Sequence, residues 1–294
     1  KLSKSKYRIH NKDYFSDLKK YAGRWTLLRN GQVYKTGKVA ALTAGPQASQ
    51  VFELSAAMPT LAKEDHLSVL IEFYLKAATI WADKDHLVAY DQISLQDGKA
   101  RKRKPLPLSK LPNKNNELKL GSSKVSFGNE GITSWKLGRT ELLASGPALN
   151  VWRAPTDNDG IKGWSGQTQK ALGRWQAAGL DQAKLSYASL EQTSNAFITR
   201  CTAKFKAGKI LMTSHFGVSD AGELLVKHHF DIDASLPDLP RVGVRMILPK
   251  GFEQFEWFGR GPFETYIDRK CAGVVRHHVS TVKDQYVPYI LPQE

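Results

Sequence analysis

Apolar side chains recur at every second position through Leu67, Val69, Ile71 and Phe73. Period two is the signature of a β-strand with one buried face, because successive side chains point to opposite sides. The pattern predicts a strand over 66–76. Shorter β-prone runs lie at 24–28, 33–37, 51–54 and 86–93. Asn30-Gly31 falls between the first two. This dipeptide is a strong hairpin signal, since a tight type I′ turn needs φ > 0 at both central residues. Pro46 and Pro59 punctuate the loops.

Short strands at this spacing, with no helical period, predict a small antiparallel sandwich of immunoglobulin-like size over 7–98. The cysteine pair of true immunoglobulin domains is missing, so only the architecture is implied. Residues 99–112 carry three prolines, a Lys/Arg run and no periodicity, which predicts a linker. From 113 to 294 the pattern is again β. Runs at 124–127 and 132–137 flank a Gly128–Gly131 turn, and a longer run from Leu142 ends at Trp152. Further strands are predicted at 183–191, 196–205, 209–218 and 223–233. One helix is predicted over 167–178, with Ala171, Leu172 and Trp175 as its apolar stripe and Gly179 as its stop. The expected fold class is all-β: the small sandwich followed by a larger antiparallel supersandwich with one short helix.

Two stretches break the alternation in the same way. In Asn150-Val151-Trp152-Arg153-Ala154-Pro155-Thr156-Asp157-Asn158-Asp159-Gly160, an apolar strand runs into an Arg, a Pro and a set of turn-forming acids and amides. Pro155 interrupts a ladder, Asp and Asn bond nearby backbone, and Gly160 permits φ > 0. Gly160 to Gly166 then places three glycines and Trp164 in seven positions, a flexible-loop composition. In Phe255–Tyr266, an aromatic strand runs into Gly259-Arg260-Gly261-Pro262 and then Glu264 and Tyr266. Two rigid polar turns of this kind suggest charge pairing between Arg153 and Glu264 at one rim.

Composition alters this picture little. Among 294 residues, 43 Lys+Arg against 28 Asp+Glu give a net charge of +15. The charge is concentrated at Lys1, Lys4, Lys6 and Arg8, and at Lys99 and Arg101–Lys104, where a tail and a linker are expected. Solvated connectors explain it better than a nucleic-acid surface, so no specific nucleic-acid partner is expected. No apolar run approaches the ~20 residues that span a bilayer, and no signal-peptide core follows the basic start. No membrane partner is expected. Two cysteines exclude a disulfide scaffold and fit a reducing, cytoplasmic compartment. The chain has no initiator Met and ends without a terminating feature, which suggests a piece of a longer protein.

Other chemistry-bearing residues have plainer explanations. His228-His229 and His277-His278 cannot chelate one ion from a strand, since adjacent side chains diverge. Asp157 and Asp159 lack the spacing of a known cation loop and suit turn formation or Arg pairing better. Cys201 and Cys271 have no local base to make a nucleophile. Phe252, Phe255, Trp257 and Phe258 suit a core better than a sugar-stacking face.

Asn150–Asp159, followed by a helix with Arg174-Trp175 and Ala178-Gly179, resembles the start of the C-terminal domain of bacterial β-galactosidases of glycoside hydrolase family 2. Gly259-Arg260-Gly261-Pro262-Phe263-Glu264-Thr265-Tyr266-Ile267-Asp268-Arg269 resembles that family's second signature, and Tyr286–Glu294 its third. Arg24-Trp25-Thr26-Leu27 with Gly31 and Gly37 resembles the preceding sandwich domain. The resemblance implies a fourth, immunoglobulin-like domain over 7–98 and a fifth, galactose-mutarotase-like domain from 113. It implies a galactoside substrate, a homo-oligomeric parent, and a catalytic (β/α)8 barrel outside this chain. Both carboxylates of the retaining reaction, about 5–5.5 Å apart, and the Mg2+ and Na+ ligands would belong to that barrel. No catalytic residue, metal site or cofactor is therefore expected in this chain. The resemblance gives Asp157, Asn158, Asp159, Gly160, Ile161, Gly163 and Trp164 as a substrate-proximal loop, and Arg153, Pro155, Arg260, Glu264, Tyr266 and Asp268 as structural motif residues. In one departure from the family pattern, Gly160 directly follows Asp159 and Ile161 comes after it.

Three functional classes follow. The first is the non-catalytic C-terminal portion of a β-galactosidase. The second is a free-standing carbohydrate-binding or mutarotase-like module, which needs a pocket with a His and a Glu. The third is a basic nucleic-acid binder, whose affinity would collapse at moderate salt.

Overall fold

The computed structural model describes residues 1–55, 57–100, 103–107, 113–161, 164–267 and 269–286. It forms two compact units: Lys1–Arg101 with Glu253–Tyr286, and a second built on Lys102–Phe252. Each is all-β, as the alternation predicted. Among the described residues, no helix is long and apolar enough to cross a membrane.

The first unit begins with β1 (Lys6–His10), β2 (Tyr21–Arg29), β3 (Gln32–Lys38), β4 (Ser49–Glu53), β5 (Leu67–Leu75) and β6 (Leu87–Gln96). One sheet has the order β3-β2-β5-β6, and β1 pairs with β4 in another. Between them Tyr7, Trp25, Leu27, Phe52, Leu54, Val69 and Ile71 form a core. The Asn-Gly turn forms as expected, with φ of 51° at Asn30 and 78° at Gly31. β5 departs from simple alternation, because Ser68 and Leu70 are buried along with Leu67, Val69 and Ile71. Both of its faces are covered.

The second unit holds β7 (Pro105–Leu106), β8 (Asn113–Lys114), β9 (Glu117–Leu120), β10 (Ser123–Gly128), β11 (Gly131–Leu137), β12 (Thr140–Glu141), β13 (Ser145–Asn150), α1 (Ala171–Ala177), β14 (Lys184–Tyr187), β15 (Glu191–Gln192), β16 (Phe197–Lys204), β17 (Lys209–Ser219), β18 (Leu224–Ile232) and β19 (Gly243–Ile247). Strands β8 to β12 form a meander, β14-β16-β17-β18 form the largest sheet, and β13 pairs with β19. The expected strand over 183–191 is interrupted and resumes as β15. Within the expected linker, Pro105 and Leu106 pair with Ser219 and Val218, and Arg103 forks onto Glu223 at 2.6 and 2.7 Å. Arg101, Lys102 and 108–112 lie outside the described residues.

Helix α1 is shorter than the predicted 167–178. Its start is fixed from outside, because the Leu172 N–H donates to Asp159 O (2.8 Å), a tertiary partner that periodicity cannot reveal. Its end follows the expected glycine stop. Gly179 (φ 74°) and Leu180 donate to Gln176 O and Trp175 O, a Schellman closure.

The chain then forms β20 (Gln254–Gly261) and β21 (Val274–Thr281), an antiparallel hairpin grouped with the first unit. The aromatic residues before and along β20 are not core, contrary to expectation. Phe252, Phe255 and Phe258 are exposed, since a two-stranded ribbon encloses nothing by itself. Phe255 and His278 instead stack on Trp257, with ring centroids 5.2 and 4.8 Å away.

Candidate functional site: the Arg153–Asp159 loop base

β13 delivers the chain to Arg153, whose side chain is only 13% exposed. Its guanidinium meets Asp159 fork to fork, Nη1 to Oδ2 at 2.6 Å and Nη2 to Oδ1 at 3.0 Å. Planar guanidinium and carboxylate groups match in this bidentate geometry. Nε donates to Pro240 O and Nη1 to Ala154 O. Cζ lies 5.1 Å from the Trp175 ring centroid, so α1 supplies a cation–π face. Asp159 also accepts from the Thr156 N–H (2.8 Å) and hydroxyl (3.1 Å), and the Asp159 N–H returns to Thr156 O. Pro155 is buried beneath. Burial pushes the Asp159 carboxyl upward, but Arg153 and the Thr156 donors outweigh it, and the net direction is below the usual carboxylate range.

The remaining loop residues separate into anchored and presented ones. Gly160 is buried at φ 129°, and a Cβ there would meet Lys170 Cβ at 3.1 Å. The Ile161 N–H points to Gln167 Oε1 at 3.5 Å. Asp157 and Asn158 are exposed on the turn, and Trp164 is 67% exposed. Gly163 lies outside the described residues.

The second polar turn is closed by its own residues. Arg260 Nη1 donates to Gly273 O (2.9 Å) and Lys270 O (3.2 Å), and Arg269 pairs with Glu264 at 2.7 Å and covers the Phe263 ring. Tyr266 is half-buried and accepts from the Arg269 N–H at its carbonyl. Gly261–Pro262 is cis. Asp268 lies outside the described residues. Arg153 and Glu264 each have a local ion partner and fall in different compact units.

The chemistry of this site is positional. Both Asp159 oxygens are engaged by cationic or hydroxyl and amide donors, which suits neither a nucleophile nor a cation ligand. No three His, Cys, Asp or Glu side chains cluster to hold a metal among the described residues. The histidine pairs diverge as strand geometry requires. His228 faces the buried Ser214 (2.8 Å) while His229 faces Asp231, and His277 meets Glu256 while His278 packs inward. Both cysteines are free. Sequence reasoning missed Trp175 and Pro240 as supports of Arg153, because they converge from separate segments.

Residues 7–96 match the family model described as β-galactosidase, domain 4, and residues 121–294 the one described as β-galactosidase small chain. The chain belongs to the β-galactosidase family. Its relatives include proteins named β-galactosidase from Priestia megaterium, 28% identical over 99% of this chain and 28% of the relative, and from Arthrobacter sp. strain B7, 29% identical over 97% of this chain and 29% of the relative. A third, from Psychromonas ingrahamii, is 25% identical over 98% of this chain and 30% of the relative. The chain thus spans less than a third of the length of these relatives. Within the family, the Arg153–Asp159 turn lies in the small-chain segment and the Asn30-Gly31 hairpin in domain 4.

Proposed function

We propose that this chain is the C-terminal portion of a cytoplasmic, homo-oligomeric β-galactosidase that hydrolyses terminal β-D-galactosides with retention. Its part is to complete the active-site rim and the assembly surface. The observation that carries this reading is the run of β-galactosidase matches over nearly the whole chain, domain 4 followed by small chain. The rigid Arg153–Asp159 pair supports it. A loop that carries an exposed Trp164 needs a fixed base if its tip is to reach a sugar reproducibly. The carboxylate pair, Mg2+ and Na+ are assigned to the barrel portion of the parent enzyme, which is the chain's main partner.

Two assays test this. The purified chain alone is expected to release no nitrophenol from nitrophenyl β-galactoside. The full gene product is expected to release it and to form β-galactose first by NMR. Hydrolysis by the chain alone, abolished by a substitution within it, would overturn the proposal.

A further inference from the structure

We infer that the immunoglobulin-like sandwich positions the β20–β21 hairpin, with Gln92 as the positioning residue. The inference is independent of the proposed hydrolase activity. Among the described residues, β21 has a ladder partner on one side only. Its outward backbone groups at Val275 and His277 would otherwise be an open edge, and an isolated two-stranded hairpin is marginal in water.

The sandwich supplies the missing partners. Gln92 Nε2 donates to Val275 O at 2.6 Å, and Gln92 Oε1 accepts from the Val275 N–H at 2.7 Å. A carboxamide offers the same donor and acceptor as a peptide group, so this side chain reproduces one rung of an antiparallel ladder. Its second Nε2 hydrogen goes to Ser68 Oγ (3.1 Å), itself only 1% exposed, which fixes the amide plane from below. Two residues along the same edge, the His277 N–H donates to Gly31 O at 2.9 Å. Nearer the hairpin loop, the Tyr90 hydroxyl donates to Ala272 O.

Gly31 is therefore fitted twice over. Its φ of 78° serves the β2–β3 turn, and a Cβ would lie 2.3 Å from His277 N and 2.6 Å from Phe258 Cδ2. The turn is held in place by Asn30, which bonds His66 through backbone and side chain and Asp65 through its amide. The His66 ring meets Phe258 edge-on at 5.6 Å. Because Arg260 closes the hairpin loop, the seat at Gln92 and Gly31 also fixes where the Arg260–Glu264 turn is presented.

Hydrogen exchange on the full chain tests this with wild type, Gln92→Ala, Gln92→Glu and Gly31→Ala. Gln92→Ala is expected to speed exchange at both Val275 and His277 at least tenfold. The amides of Trp25 and Ile71, which report the sandwich core, should be unchanged. Gln92→Glu keeps the acceptor but not the donor and should fall between. If Gly31→Ala disturbs the core amides, the Gln92 variants decide. Wild-type protection of β21 in Gln92→Ala with the core intact would overturn the inference. So would faster exchange at Val275 alone, which would mean one lost bond and no loss of position.

Discussion

Arg153 and Asp159 lie six residues apart and close a two-point ion pair, at 2.6 and 3.0 Å, with each side chain only 13% exposed. An exposed pair of this kind would contribute little. Here, removing one partner leaves the other charged group desolvated. Arg153→Ala is expected to destabilise the second unit by about 2–4 kcal/mol. Arg153→Lys restores charge but not the fork, and should recover less than half. Urea denaturation followed by tryptophan fluorescence measures both.

Gly160→Ala probes the same loop base from the backbone. The residue sits at φ 129°, a region that side chains disfavour, and its Cβ would press on Lys170. A loss of about 1–3 kcal/mol is expected, read in the same denaturation experiment. Gly166 has φ 73° but open space around it, so Gly166→Ala should lose less.

Asp65 gives a pH prediction. Arg29, then Asn30 and the Ala62 N–H, hold its carboxyl down to about 2. A carboxyl lowered on folding stabilises the native state above its unfolded value of ~3.9. That contribution falls away as pH drops from there through about 2. The denaturation midpoint of wild type should decline across this window, and Asp65→Asn should flatten the decline. Equal slopes would refute the assignment.

The two thiols should separate cleanly. Cys201 is 2% exposed and burial pushes its thiol up, whereas Cys271 is exposed. A thiol reagent at pH 8 should modify one cysteine promptly and the second only with denaturant. Cys271→Ser should abolish the fast phase.

Trp164 separates stability from function. At 67% exposure it contributes little to the fold, so Trp164→Ala should change stability by under ~0.5 kcal/mol. In the full-length enzyme proposed above, the same substitution is expected to raise KM for a β-galactoside. Unchanged kinetics would remove Trp164 from the substrate wall.

The alternation along the chain determined the fold class, most strand positions, the Asn30-Gly31 turn and the Gly179 stop. These are local consequences of period two and of φ preferences, and they are legible wherever neighbours in sequence decide. Arg153, Pro155 and Asp159 were legible as a rigid turn for the same reason. The supports of that turn from Trp175 and Pro240 were not, nor was the late start of α1 set by Asp159 O. Only the tertiary structure decided that Arg153 and Glu264 find their partners close by, that the aromatic strand β20 is no core element, and that the hairpin sits with a sandwich far earlier in the chain. The physical reason is common to the last two. Which open edge is capped, and by which amide or carbonyl, depends on groups distant in sequence, and Gln92 carries no sign in its own neighbourhood that its carboxamide will stand in for a strand.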